Sequence, residues 1–275
     1  MVLRIPETLN AVNSENYKVS IRLWPDGLSF SGYIPDDEGS FFSDIVEPKG
    51  DVQMVRLLKD VFFENPCLSY YYRSIHIICV SSKYTLAPEG LFTGKEKDVV
   101  FSYCFQEDKE AKVLVQSLSA IHSFLIYSFS NEVYEFLMRS IINPVFIHFL
   151  SPMLLVWHKK SLTCYPKHLY VVFHPSSIDI VCFEQGELLF LNAFDHEGTG
   201  DIVYFIICVC RQLGFNQLED CLYMCGDEPL CLSVLATVKN YIQQADYLPV
   251  QMQKYRFPDD RSLFMDEVIL TECGL

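Results

Sequence analysis

What most constrains the fold of this chain is a repetition of order rather than of identity. Three apolar runs, 169–173, 178–183 and 188–194, are separated by the turns Pro175-Ser176-Ser177 and Glu184-Gln185-Gly186-Glu187. Proline and glycine between short β-branched and aromatic runs mark a three-stranded meander. A helix-length apolar segment follows at 201–213, then a strand at 221–225 that ends on Gly226. The first half lays out the same order. Residues 17–24 alternate, with Val19, Ile21 and Leu23 on one side, as a half-buried strand does. Pro25-Asp26-Gly27 turns the chain into a strand at 28–33, and 40–46 is the third. Residues 51–63 form an amphipathic helix with Val52, Val55, Leu58 and Phe62 on one face and Asp51 at its start. Another strand, 72–80, completes the unit. The turns at Pro25 and Pro175 lie 150 positions apart, and the helices and strands after them keep nearly that offset. An internal duplication of this kind decides the fold ahead of any local motif.

On this reading residues 1–160 are one lobe and 161–275 the second. Residues 81–167 are too long for a linker: 84–92 read as a loop, 95–105 as a helix, 112–118 and 124–129 as a strand pair. An insertion in the first lobe is expected near 93–119, followed by a helix at 131–141, a strand at 145–149 and a bridging helix at 151–158. In the second lobe, 201–213 is apolar nearly all round and should be buried between layers. A helix over 229–244 carries Pro229 in its first turn, 248–255 reads as a late strand, and 259–275 as an acidic tail with a short helix.

Charge narrows the partners. Lys plus Arg total 21 against 35 Asp plus Glu, a formal charge of −14. Such a surface repels nucleic acid and anionic lipid, and no basic cluster exceeds Lys159-Lys160. The longest apolar run, 143–157, contains Pro144, His148 and Pro152 and falls short of a membrane span of ~20 residues. Eleven scattered cysteines, several inside apolar runs (Cys79, Cys182, Cys208, Cys210), and a polar, mixed stretch at 1–16 point to buried reduced thiols and a cytoplasmic location.

The β-β-β-α-β-α order, given twice, defines an α/β fold of two tandem RNase H-like lobes with mixed sheets. That arrangement resembles the actin-like ATPase superfamily, which includes actin, sugar kinases and heat-shock chaperones. Residues 170–202 look like the second lobe of bacterial members that act as assembly scaffolds, such as the type IV pilus platform protein and the actin homologue of the division ring. The whole chain, including YTLAPEGLF and NPVFIHF, is similar to an uncharacterised bacterial family of this fold. The resemblance implies an interlobe cleft in which the meander turns hold ATP phosphates and an acid at the end of the first strand directs Mg²⁺. The matching positions here are Asp26 and Gly27 in the first lobe, and His174, Ser176, Ser177 and Asp179 in the second. Gly226 matches the adenosine-side glycine turn, whose second glycine is replaced by Asp227.

These residues suit a triphosphate poorly. His174 stands where a carboxylate would hold Mg²⁺, a hard cation that prefers oxygen. Pro25 and Pro175 lack the N–H a phosphate cradle would use. The expectation is a non-catalytic scaffold that binds a protein partner or itself, with no cofactor. The alternative is an ATP-binding member with Mg²⁺, its cleft lined by Asp26, Asp179 and Gly226. A nuclease would need carboxylates clustered on the first and fourth strands, and 74–80 has none. Asp195-His196-Glu197 with Asp201 reads as a helix entry favoured by acids, with a metal cluster as the other option. Cys221, Cys225 and Cys231 lack paired zinc spacing. His76 and His148 read as structural, His174 as a rim or core residue at the cleft, and Ser176-Ser177 as turn formers. Phe41-Phe42 falls on the strand that forms the sheet edge, where an apolar edge would invite a pairing partner.

Overall fold

The computed structural model describes every residue except 1, 49, 51, 107, 251–254, 256–262 and 274–275. The first sheet is built from β1 (Lys18–Trp24), β2 (Gly27–Tyr33), β3 (Phe42–Val46), β4 (Ser74–Cys79) and β8 (Val145–His148). Its order is β3-β2-β1-β4-β8, antiparallel through the meander and parallel from β1 to β4 and β4 to β8. The second sheet contains β9 (His168–Phe173), β10 (Ser177–Glu184), β11 (Glu187–Asp195), β12 (Cys221–Gly226) and β13 (Gln244–Tyr247). It is ordered β11-β10-β9-β12-β13 with the same directions. The expected duplication is present strand for strand.

The helices repeat too. In the first half they are α1 (Met54–Glu64), α3 (Asn131–Ser140) and α4 (Leu150–Ser161); in the second they are α5 (Thr199–Gln212), α6 (Glu228–Val238) and α7 (Met265–Cys273). Between β4 and α3 the first half carries β5 (Tyr84–Pro88), α2 (Lys97–Cys104), β6 (Ala111–Leu118) and β7 (Ser123–Ser130). The three strands form their own sheet, ordered β5-β7-β6. The segment 93–119 thus holds α2 and β6, while β5 and β7, which pair around it, lie outside that range. Residues 84–88 are a strand, not the expected loop: Tyr84 to Pro88 pair with β7, and the alternation is too short to show in sequence.

Packing explains the remaining differences. The stripe on α1 is buried through Val55, Leu57, Leu58 and Val61, while the expected cap at Asp51 lies outside the described residues. On α5 only Ile202, Ile206, Val209 and Cys210 are buried; Tyr204 and Cys208 face solvent, so the helix covers one face of the sheet instead of sitting between layers. Helix α6 ends at Val238, not 244, because the chain must re-enter the sheet as β13. The late strand is therefore at Gln244–Tyr247, ahead of the expected 248–255, of which 251–254 lie outside the described residues. Phe41 and Phe42 are not an apolar edge. Phe42 packs edge-on to Tyr17 and against Phe30, and Phe41 lies in a small core with Tyr33 and Tyr255.

β1 is buried on both faces, which its half-polar pattern does not suggest. Val19, Ile21 and Leu23 join the main core. Ser20 and Arg22 alternate with them, and α7 meets that polar side. Helix α7 is the short helix expected in the acidic tail; it is also the counterpart of α4 and packs against it. α4 leans on the second sheet, with the Trp157 indole stacked on Tyr170 at 4.3 Å. α7 leans on the first. Each half lends its last helix to the other. No helix among the described residues is long and apolar enough to cross a membrane.

Candidate functional site

Three turns face one another between the lobes: β1–β2, β9–β10 and β12–α6. With the start of α7 they line a cavity of about 1310 Å³. Of the eight candidate residues, Asp26, His174, Ser176, Ser177, Asp179, Gly226 and Asp227 line it. Gly27 does not: it begins β2, and a side chain there would meet the Trp24 ring at 2.7 Å and the Val46 carbonyl at 2.8 Å. Its role is local packing of the turn.

Several of the lining residues are already engaged. The backbone N–H of His174 donates to the Ser177 carbonyl at 2.9 Å, closing the β9–β10 turn. The His174 ring Nε2 lies 2.8 Å from Asp179 Oδ2, and its edge rests on Phe149. Tyr84, from the first half, donates its hydroxyl to Asp179 Oδ1 at 2.5 Å. Asp179 is therefore a buried tie between the halves, and burial followed by this carboxylate pushes the Tyr84 phenol well above its ordinary range. Nearby, His148 is wholly buried, its Nε2 2.9 Å from the Ser81 carbonyl, and burial lowers it to about 4, so it is neutral. Gly226 has φ +109°, and an added Cβ would fall against the Phe173 carbonyl oxygen and within 2.9 Å of its nitrogen. Asp227 caps α6, accepting from the Leu230 N–H at 2.9 Å, with Glu228 in the same first turn. A helix N-terminus attracts anions, and here the chain's own carboxylates occupy it.

A buried polar cluster that borders the cavity through Arg22 and Asp266 was missed in the sequence. Arg22 on β1 projects its Nε to Asp266 of α7, 2.8 Å from Oδ2, with its guanidinium 3.8 Å from the centre of the Phe264 ring. Beside it, Glu267 Oε1 accepts from Ser29 at 2.5 Å and Ser31 at 3.2 Å. All five polar groups are buried. The available signal was Arg22 standing in phase with Lys18 and Ser20 on a strand whose other face is apolar; two acids next to Val268-Ile269-Leu270 were the matching half.

Burial, then the neighbouring Asp266 carboxylate, raises Glu267 to about 7, while Ser29, Arg22 and Ser31 pull it down. An unfolded Glu titrates near ~4.3. The folded protein thus holds this proton more tightly, and the stability it gives is complete below ~4.3 and lost as pH rises through about 7. Glu267→Gln should flatten that part of the curve by roughly 3 kcal/mol between pH 4 and 8. Urea titrations of both proteins across that range measure it, and parallel curves would refute it.

Elsewhere, the Glu197 N–H donates to Asp201 Oδ2 at 3.0 Å, a helix-entry contact. Among the described residues no group of three or more His, Cys, Asp or Glu is placed to hold a metal.

Two lobes of like topology around one cleft define an actin-like ATPase fold. A Bacteroides thetaiotaomicron crystal structure of a protein with actin-like ATPase fold and unknown function matches with a TM-score of 0.81 and 30% identity over 88% of this chain and 94% of that one. A type IV pilus biogenesis complex of PilM and PilN matches with a TM-score of 0.54 and 9% identity, over 84% of this chain and 88% of that chain, a likeness of fold alone. The profile of the family described as "Protein of unknown function (DUF3822)" matches residues 6–245, and the chain belongs to that family. No curated protein sequence matches.

Proposed function

We propose that this protein is a partner-binding scaffold whose interlobe cleft is not a nucleotide site. The observation that supports this most is charge. Among the described residues the cavity lining holds two arginines, Arg4 and Arg22, against seven carboxylates: Asp26, Asp44, Glu47, Asp179, Asp227, Glu228 and Asp266. Arg22 is committed to the buried Asp266, while Arg4 lies 3.7 Å from Asp44 with its side chain 77% exposed. Among the described lining residues a triphosphate would meet seven carboxylates and, apart from the buried Arg22, one loosely paired arginine. Each missing charge-assisted hydrogen bond withholds roughly 1.5–3 kcal/mol. Pro25 and Pro175 remove two backbone donors from the facing turns, and Asp227 fills the α6 terminus.

A second reading, an ATP-binding member with an unusual phosphate site, draws on the placement of Asp26, Asp179 and Gly226 around a cavity large enough for a nucleotide. Melting with and without millimolar Mg-ATP separates the two. The scaffold reading expects no change. A ligand at 100 times its Kd would add about 2.7 kcal/mol, a rise of several degrees, and that rise would establish the second reading.

A further inference from the structure

We infer that the outer edge of β11 is a docking site for an extended segment of a partner protein. The segment adds to the five-stranded second sheet as one more strand, apolar on its α5 side and basic at its ends. No residue of β11 lines the interlobe cavity, so the inference stands whatever the cleft holds.

The duplication supplies the comparison. In the first sheet the corresponding edge strand, β3, is five residues long and almost wholly buried. The chain covers it: the Arg4 N–H donates to Asp44 Oδ2 at 2.7 Å, and Phe41, just before β3, packs with Tyr33 and Tyr255. β11 is nine residues long, reads ELLFLNAFD, and is half-buried or exposed throughout. The His196 N–H donates to the Ser176 carbonyl at 3.1 Å, which sets the phase of the ladder. Residues 190, 192 and 194 therefore turn their backbone groups to β10, and Leu191, Ala193 and Asp195 turn theirs outward. Among the described residues no strand pairs with that side. A β-bulge at Cys182 and Phe183 disturbs the hairpin end and leaves 190–195 regular, about 20 Å of edge. The other sheet ends carry protective features. β8 and β13 have four residues each, β5 ends on Pro88, and on β6 the Val113 carbonyl accepts from Lys97 Nζ at 2.5 Å. β11 has no proline, lysine or arginine.

The two sides of β11 differ. Leu188, Leu191 and Ala193 border the main core, as does Leu86 of β5. On the other side Phe194 stacks on Phe205 of α5 at 4.8 Å, with Phe190 parallel to Phe194 at 6.3 Å. These rings are half-buried, and Tyr204, beside Phe205, is 64% exposed. An added strand would cover them with every second side chain, so those residues should be β-branched or aromatic.

Charge chooses between a partner and a second copy. Glu187 and Asp195 close the two ends of β11, and Glu197 follows; all three are exposed, and none forms an ion pair among the described residues. A second copy pairing antiparallel about Leu191 would set Glu187 against Asp195 at both ends, and each copy carries −14. A segment ending in lysine or arginine meets the opposite sign at both. The residues that flank 251–254 and 256–262 are placed away from this edge. β13, which leads to Val250, is four strand spacings, about 19 Å, from β11, and Tyr255 and Leu263 pack beside Tyr33 and Phe41 of the first lobe.

The probe is a fluorescein-labelled octapeptide, Lys-Val-Thr-Ile-Thr-Val-Thr-Lys, read by anisotropy against the full chain. One counterpart is N-methylated at alternate residues, which removes backbone donors and keeps side chains and charge. Another has glutamate for both lysines. Ala193→Pro removes an outward N–H and leaves the bonds to β10, and Glu187→Gln with Asp195→Asn removes the end charges. The lysine peptide should bind the parent saturably. The methylated peptide, and the lysine peptide with Ala193→Pro, should bind at least tenfold more weakly, and the charge variant severalfold more weakly. If Ala193→Pro does not fold, the methylated peptide decides. No saturable binding, equal binding of the methylated or glutamate peptide, or an unchanged affinity in the charge variant would overturn the proposal. Sedimentation of the chain alone tests the second copy: a dimer that Ala193→Pro dissolves would place it on this edge and overturn the partner. A melting rise with Mg-ATP would end the scaffold reading of the cleft and leave this edge untouched.

Discussion

Replacing Arg22 by alanine is expected to cost roughly 3–5 kcal/mol, the usual consequence of leaving one member of a buried ion pair without its partner. The guanidinium is almost fully enclosed between β1 and α7, and its removal strands the Asp266 carboxylate beside Glu267 under the same cover. The packing of Arg22 on Phe264 and Trp24 is lost with it. The pair itself is a weak source of net stability, since desolvating two ions offsets most of their attraction. The double change Arg22→Met with Asp266→Leu should therefore recover most of the loss. Chemical denaturation of the three proteins at one pH tests the argument. An Arg22→Ala protein as stable as the parent would show that the contact is not formed.

Gly226→Ala should be comparably severe for a different reason. A positive φ of 109° is strained for any residue with a Cβ, by about 1–3 kcal/mol. The added methyl also collides with the Phe173 backbone, and overpacking of this kind costs about 1–3 kcal/mol more. The colliding atoms belong to the neighbouring strand, paired in register at Gly226 and Phe173, so they cannot rotate away as a side chain would. Thermal unfolding of Gly226→Ala beside an Asp227→Asn control checks this. The control keeps a cap-forming side chain and should melt near the parent, while a small effect at Gly226 would mean that the strand end yields.

The two-lobe order was legible because it is carried by hydrophobic periodicity and turn residues, which act locally. Pro25-Asp26-Gly27 and Pro175-Ser176-Ser177 announce the hairpins, and the apolar runs beside them announce the strands. What escaped was set by contacts far apart along the chain. β5 is a five-residue strand that pairs with β7, some forty positions on. α7 looked like a tail because the partners that Asp266 and Glu267 do find, Arg22, Ser29 and Ser31, lie more than two hundred residues away. The candidate site was partly readable for the same reason. A comparison of turns brought seven residues to one cavity. It gave no warning that His174 and Tyr84 would share Asp179, or that Gly226 lies hard against the Phe173 backbone.

The exchange of α4 and α7 between the halves has a consequence for how the molecule comes into being. As the chain leaves the ribosome, the first sheet emerges with its serines and Arg22 facing nothing, and it stays so until Met265–Cys273, the last helix, has followed. Duplicated architecture usually suggests two units that could ripen independently. Here the earlier one must wait for the later, so the smallest piece that can mature is the pair.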